Sequence, residues 1–322
     1  MKDLKDCKIL VTPTSYGSQD PELKTELEEM VGEVVYNNTG KPLSSDQLKE
    51  LLIDVDGYIA GLDEIDAGAL DFAPMLKVIS RYGVGYNNVD LDAAAKNGVI
   101  VTNTPGANAI AVAELTIALI LNMVRPILPA VQKMKEGEWP RYKGFSLVGK
   151  TVGLLGLGAI GKETAKRLVG FGCRVMAYDL YPDEKFAAEH GIEMAILDDI
   201  LPAADIISLH LPGTAETHEI VNAKFIEKMK PGAWLVNTAR GDLISEKDLI
   251  DAIKNGKLRG AALDVYSEEP PPPSSPIFRN DQILTTPHMG AHADSATNAM
   301  GRMAMDECLR VLQGIEPKYQ VK

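Results

Sequence analysis

Three clusters in the second half of the chain carry side chains suited to acid–base work on an anionic substrate. Asn237-Thr238-Ala239-Arg240-Gly241 supplies a guanidinium, Asp264 to Glu269 supplies carboxylates, and Thr285-Thr286-Pro287-His288 supplies an imidazole. Each follows a β-type apolar run: Trp234 to Asn237, Ala261 to Val265 and Gln282 to Leu284. Ligands of open parallel sheets bind beyond the C-terminal strand ends, so all three groups fall at the end where a ligand belongs. Histidine exchanges protons near neutral pH, and a neighbouring carboxylate favours its charged form. Arginine grips a carboxylate with two parallel hydrogen bonds and polarises a carbonyl. Plainer readings exist for each residue. Arg240 reads also as a strand-end surface cation, and one of Glu268 and Glu269 is expected to be merely solvated. Asp264, inside an apolar run, needs a partner. His292 competes with His288, whereas His190, His210 and His218 lie within or beside helices and strands. His288 and His292 lack a suitably spaced third ligand, so no metal site is expected.

A second motif says what the proton transfer accompanies. The apolar run Val152 to Leu155 leads into Gly156-Leu157-Gly158-Ala159-Ile160-Gly161, and Ala165, Leu168 and Val169 follow at helical spacing. In a strand–G-x-G-x-x-G–helix unit the first glycine allows a tight turn and the second admits backbone to a pyrophosphate. The third lets helix and strand pack closely, and the helix N-terminus faces the phosphates. Asp179 ends the next apolar run, placed to accept from a ribose 2′-hydroxyl and to repel a 2′-phosphate. That pattern predicts NAD rather than NADP. With it, the strand-end residues fit hydride transfer between NAD and a 2-hydroxy or 2-oxo acid.

These residues need a scaffold, and the chain has the length for two domains: 322 residues, 45% hydrophobic and 24% charged. Strands are predicted at Lys8 to Val11, Glu33 to Tyr36, Tyr58 to Ala60, Leu76 to Ser80 and Val99 to Thr102. Helices alternate with them at Pro21 to Met30, Ser45 to Leu52 and Leu91 to Lys96. This predicts an α/β domain with a mostly parallel sheet and no phosphate fingerprint. From Thr151 the alternation resumes, with strands at Val152 to Leu155, Val175 to Tyr178, Ile206 to His210 and the three runs above. That is a Rossmann-type doubly wound sheet. A long helix at Ala109 to Met123, with Asn108 as N-cap, precedes it, and another at Ser295 to Leu312 follows. The latter is expected to return to the first domain. Residues 1–102 and 291–322 would form a substrate domain around an inserted dinucleotide domain, 103–290.

A net charge of -12 argues against nucleic acid as a partner. Cys7, Cys173 and Cys308 fit no disulfide framework and read as buried thiols in a reducing cytosol. The N-terminus lacks the apolar core of a signal peptide, and the apolar run Ile117 to Val124 is too short to span a membrane. A cytoplasmic location is expected. Pro270 to Pro273 is read as a rigid surface connection rather than a polyproline ligand.

Taken together, the glycine motif, Asn237 to Gly241, Ala262 to Pro270 and Pro287-His288-Met289-Gly290 resemble the D-isomer-specific 2-hydroxyacid dehydrogenases, in their phosphoglycerate dehydrogenase-like branch. The resemblance covers essentially the whole chain. It implies that Arg240 binds and orients substrate, that His288 is the acid/base and that Glu269, directly before proline, is its partner. Cofactor contacts would come from Gly156, Gly158, Ala159, Ile160, Gly161, Asp179, Leu211, Pro212, Thr238, Asp264 and Gly290, with Asp264 holding the nicotinamide carboxamide. In the first domain, Arg81 to Asp90 matches the family's substrate loop. There the backbone N–H groups of Val84 and Gly85 would receive the carboxylate, and Asn108 matches another substrate-side position. Glycine-rich loops of this kind expose backbone donors as anion-binding nests. The resemblance further implies a flavodoxin-like substrate domain and a homodimer built through the NAD domain.

Substrates expected on this basis are 3-phosphoglycerate, or glyoxylate or hydroxypyruvate. Arg81 matches an arginine near the phosphate end, but Gly61 stands where some phosphoglycerate dehydrogenases have a second one. His292 replaces a small or hydroxyl residue. The sequence ends at Lys322 without the appended regulatory domain, so feedback by that route is not expected. The competing readings are an NAD-sensing corepressor-like protein and a formate dehydrogenase, which carries glutamine where Glu269 stands.

Overall fold

The computed structural model describes residues 2–321. It contains two compact units, one made of Met1–Asn108 and His292–Lys322, the other of Ala109–Ala291. The second is thus a continuous stretch set between two segments of the first. The division falls at 108/109 and 291/292, so residues 103–108 and Ala291 sit with the opposite units from those expected.

In the first unit, β1 (Lys8–Val11), β2 (Glu33–Tyr36), β3 (Gly57–Ala60), β4 (Val78–Arg81) and β5 (Ile100–Thr102) form an all-parallel sheet in the order β2-β1-β3-β4-β5. That is the flavodoxin-like strand order. The central strands β3 and β4 are buried along their whole length, as a sheet covered on both faces requires. The helix Asp294–Leu312 covers one face, packing on β3, β4 and β5. Its buried Ala304, Met305, Cys308 and Leu309 join Ile9, Val11, Leu23 and Leu27 in one cluster.

In the second unit the strands are β6 (Thr151–Leu155), β7 (Arg174–Tyr178), β8 (Glu193–Met194), β9 (Ile206–Leu209), β10 (Ala233–Asn237), β11 (Leu258–Leu263) and β12 (Ile283–Thr285). Their order, β12-β11-β10-β9-β6-β7-β8, is the doubly wound dinucleotide topology with one added edge strand. The order reverses between β6 and β9, which is the switch point where such sheets take ligands. The helices Ala109–Val124 and Ala159–Gly170 pack on each other over one face.

Two expectations need correction. The strand predicted at Ala261 to Val265 begins three residues earlier, at Leu258, and ends two earlier, at Leu263, where Asp264 turns to meet backbone donors of the loop after β12. Asn108 does not cap the helix that follows, since its Oδ1 is buried and accepts no hydrogen bond among the described residues. The two-residue edge strand β8 is too short for any pattern to have revealed it. All three cysteines are free and buried. Among the described residues no single helix is long and apolar enough to cross a membrane.

Candidate active site

Beyond β6 the chain makes the turn the glycine motif requires. Gly156 has φ 101°, and a Cβ there would come within 2.5 Å of the His210 carbonyl oxygen. A Cβ on Gly161 would collide with the Gly156 carbonyl oxygen, so glycine is needed for helix Ala159–Gly170 to sit against this turn. Gly158 differs: a side chain there would meet nothing within 4 Å. Two glycines therefore serve the protein's own packing, and the third keeps open the space in front of the helix. Lys162 N–H makes the first helical bond, to Gly158 O, so the N–H groups of Ala159, Ile160 and Gly161 open the helix.

Asp179, one residue past β7, accepts from Leu157 N–H at 2.6 Å and from Tyr181 N–H at 2.8 Å. Its carboxylate is thereby fixed beside the glycine turn with lone pairs remaining. Leu211 and Pro212 follow β9 directly, and Leu211 N lies 3.2 Å from the position of a Cβ on Gly156. A pyrophosphate-bearing dinucleotide fits this cradle: open backbone at Gly158, a helix N-terminus, and an acid at the ribose position.

The catalytic candidates gather at the neighbouring strand ends. Asn237, fully buried at the end of β10, accepts from Ala239 N–H at 3.0 Å and donates to Arg240 O at 2.7 Å. This closes the turn that presents Arg240. Thr238 is tied by its hydroxyl to Thr116 at 2.8 Å. Gly241 packs on the backbone of Tyr266 and Ser267 so tightly that a Cβ would overlap it. The arginine turn and the carboxylate loop are therefore held together.

Glu269 Oε2 lies 2.6 Å from His288 Nδ1, and its Oε1 accepts from Tyr266 N–H at 3.0 Å. Burial raises the carboxyl's proton affinity, but the His288 hydrogen bond and charge outweigh it, helped by Tyr266 N–H and the Arg240 charge. The net pKa lies below the ordinary glutamate range. Of the two adjacent acids, Glu269 is the one engaged, and the exposed Glu268 makes no hydrogen bond to His288.

His288 has φ 49°, in the left-handed region. What holds it there is Asp264, 1% exposed: Oδ1 accepts from the Thr286 hydroxyl at 2.6 Å and Met289 N–H at 2.9 Å, and Oδ2 from Gly290 N–H at 2.9 Å. The buried carboxylate thus brackets the histidine on both sides, and this is the partner its burial demanded. Tyr266 adds a hydroxyl bond to Thr286 O at 2.8 Å, with burial pushing its phenol up to about 12.

The other histidines offer no such arrangement. His210 is desolvated, which pushes its pKa down to about 4; its Nε2 meets Ser208 Oγ at 3.0 Å and its Nδ1 has no partner among the described residues. It is neutral at working pH. His292 is exposed in the first unit. Among the described residues no cluster of three or more His, Cys, Asp or Glu could hold a metal ion.

In the first unit, the loop after β4 has its carbonyls tied down. Gly83 O accepts from Thr104 N–H at 3.1 Å, Val84 O from the Asn103 side-chain amide at 2.8 Å, and Gly85 O from Arg81 Nε at 3.1 Å. A trans peptide points its C=O and the next N–H in opposite directions. Three fixed carbonyls therefore turn the N–H groups of Val84, Gly85 and Tyr86 the other way, and among the described residues none of these meets a protein acceptor. Sequence reasoning named Val84 and Gly85 and did not name Tyr86, whose N–H is turned the same way as theirs. It also missed Asn103, since nothing in a run of Asn-Thr-Pro marks one side chain as a brace.

Arg81 is 2% exposed and donates through Nη1 to both Ala60 O and Gly61 O. Its position opposite Ala60 in the β3–β4 register points it at these carbonyls.

Residues 117–290 match a family model described as D-isomer specific 2-hydroxyacid dehydrogenase, NAD binding domain. Over 311 residues the chain is 40% identical to the D-3-phosphoglycerate dehydrogenase of Methanocaldococcus jannaschii, covering 95% of this chain and 58% of that protein. It is 39% identical over 301 residues to the glyoxylate reductase of Thermofilum pendens, covering 90% and 88%. The solved apo-structure of D-lactate dehydrogenase from Escherichia coli is similar with a TM-score of 0.85 at 28% identity, covering 98% of this chain and 100% of that one. The chain thus spans little more than half of the archaeal phosphoglycerate dehydrogenase but most of the glyoxylate reductase.

Proposed function

This chain belongs to the D-isomer specific 2-hydroxyacid dehydrogenase family, and from that premise we propose that it interconverts a D-2-hydroxy acid and its 2-oxo acid with NAD. The observation that carries the reading is the 2.6 Å contact of Glu269 with His288, at strand ends shared with Arg240. NAD, when bound, supplies or accepts the hydride. With Nδ1 facing Glu269, His288 has Nε2 left to give a proton to the carbonyl oxygen during reduction and to take it back during oxidation. Glu269 orients the ring and stabilises its charged form. Arg240 holds the substrate's oxygen atoms through its fork. Oδ2 of Asp264 and the backbone of Thr238 are the contacts for the carboxamide. In the first unit, the loop 83–86 and Asn108, whose Oδ1 accepts nothing among the described residues, are the substrate-side groups.

NAD is favoured over NADP by Asp179 and by Lys162, the cation in the first helical turn, which is paired with Asp183 at 2.5 Å. Of the two substrate readings, a small unphosphorylated acid such as glyoxylate or hydroxypyruvate is favoured over 3-phosphoglycerate. The support is Arg81, buried and bonded to three carbonyls, together with glycine at position 61. The carboxylate at 269 disfavours formate dehydrogenase. We assign the protein to the cytoplasm, where three buried free thiols persist.

A homodimer through the second unit accounts for helix Ile127–Lys135, which buries none of its residues. Ile127, Val131 and Met134 line an open groove of about 730 Å³ beside it. Sedimentation analysis tests this, and a monomer at micromolar concentration refutes it.

The deciding experiment is a panel of 2-oxo acids with NADH, followed at the nicotinamide absorbance. Glyoxylate or hydroxypyruvate should turn over faster than 3-phosphohydroxypyruvate. No turnover with any acid, alongside intact NADH binding, would favour the NAD-sensing alternative.

A further inference from the structure

The three pinned carbonyls of the loop 83–86 are held by Thr104, Asn103 and Arg81, and one of these supports is itself held from the far end of the chain. Asn103 N–H donates to Tyr319 O at 3.2 Å, Thr102 and Gln320 form an antiparallel bridge, and Val321 N–H donates to Val101 O at 2.8 Å. Residues 319–321 therefore run along the exposed edge of β5 as a short added strand, covering an edge that would otherwise be unpaired. The tail is in turn clamped by the helix Asp294–Leu312. Glu307, 1% exposed, accepts from both Lys318 N–H at 2.8 Å and Tyr319 N–H at 3.0 Å through Oε2. Arg310 lies 3.7 Å from Glu307 Oε1 and donates to Glu316 O at 2.7 Å.

A carboxylate this deeply buried is costly unless it is well bonded, and here its acceptor capacity goes to the backbone of the tail. An unbroken path leads from Glu307 to Tyr319, from Tyr319 to Asn103, and from the Asn103 amide to the Val84 carbonyl. All of it lies within the first unit.

We propose that Glu307 and the segment 316–321 are positioning elements for substrate binding: they fix Asn103, which fixes the Val84–Gly85 peptide and so aims the Gly85 N–H. This rests on the reading of the loop 83–86 as the receiver of the substrate carboxylate. The coupling gives the C-terminal segment control over affinity for the acid without contact with it. A change that lifts the tail from β5 weakens binding of the 2-oxo acid and leaves the dinucleotide cradle in the second unit alone.

The test uses four variants of the full chain, each assayed for the KM of its best 2-oxo acid, kcat and the Kd of NADH. Asn103→Leu removes the donor to Val84 O with little change of shape and no added charge. Glu307→Ala releases the tail, and Glu307→Gln keeps an oxygen that can accept from Lys318 and Tyr319. Arg302→Ala, on the same helix as Glu307, breaks the pairs with Asp20 and Glu26, a structural change away from the tail. Loss of one neutral hydrogen bond at the loop should raise KM about fivefold to tenfold.

KM should rise in Asn103→Leu and Glu307→Ala, return toward normal in Glu307→Gln, and stay unchanged in Arg302→Ala, with NADH Kd constant throughout. Amide hydrogen exchange in Glu307→Ala should quicken both in 316–321 and in 83–86. If Asn103→Leu raises KM while Glu307→Ala does not, the tail's role is refuted and the loop reading stands. If neither raises KM, the loop reading fails and the proposal with it. An equal KM rise in Arg302→Ala reduces the effect to general destabilisation and also overturns the proposal.

Discussion

Asp264 lies on one strand end and His288 on the next, and the first holds the second without touching its ring. Two of the three donors to the Asp264 carboxylate flank His288 in sequence, Thr286 and Met289, and the third is Gly290. The histidine is thus suspended in left-handed backbone between anchored neighbours. Its imidazole is then aimed by Glu269.

Replacing His288 by alanine should lower kcat by ~10²–10⁴-fold, the usual worth of general acid–base assistance, with NADH affinity nearly unchanged. Steady-state kinetics with NADH titration by fluorescence checks both halves. A variant with full turnover ends the assignment.

For Glu269→Gln the consequence is a stability difference that depends on pH. The carboxyl's pKa is depressed in the folded protein, so its contribution is complete above the unfolded value and is lost as pH falls through the folded value. Wild type should melt above the variant at pH 7, and the gap should close as acid takes the medium below the ordinary carboxylate range. Calorimetry across pH 3 to 7 reads this (with about 4.3 as the ordinary glutamate value). A gap that stays constant or widens in acid contradicts it.

Arg240→Lys keeps the charge and loses the fork, so KM for the 2-oxo acid should rise by about tenfold or more. Unchanged KM would remove Arg240 from substrate binding and leave it as a surface cation.

Two glycine variants should separate cradle from scaffold. Gly158→Ala places its methyl in open space, so it should fold with wild-type melting behaviour yet bind NADH at least about tenfold more weakly. Gly161→Ala drives its methyl into the Gly156 carbonyl and should lose about 1–3 kcal/mol of stability. Equal melting temperatures for both, or equal NADH affinities, would refute the division.

Much of the architecture could be read from residue order because parallel sheets write themselves as apolar runs at regular spacing. The strands carrying Gly156, Arg240 and His288 were legible for that reason. Glu269 could be singled out from Glu268 only by resemblance, since both are acids in the same loop and only the folded turn decides which meets His288. Asn103 and Glu307 were not legible at all. Their partners are backbone groups, and no side-chain pattern in a sequence records which carbonyl or amide a distant residue will hold. Arg81 illustrates a different point: its type invited a role in anion binding, and only the fold shows that its Nε meets Gly85 O and its Nη1 meets Ala60 O and Gly61 O.

Because the loop after β4 is oriented through its carbonyl oxygens, the direction of its N–H groups does not depend on what side chains stand at Val84 or Tyr86. On the reading of this loop as the receiver of the acid, a substitution at either position changes the wall around the substrate and leaves the aim of the peptide donors in place.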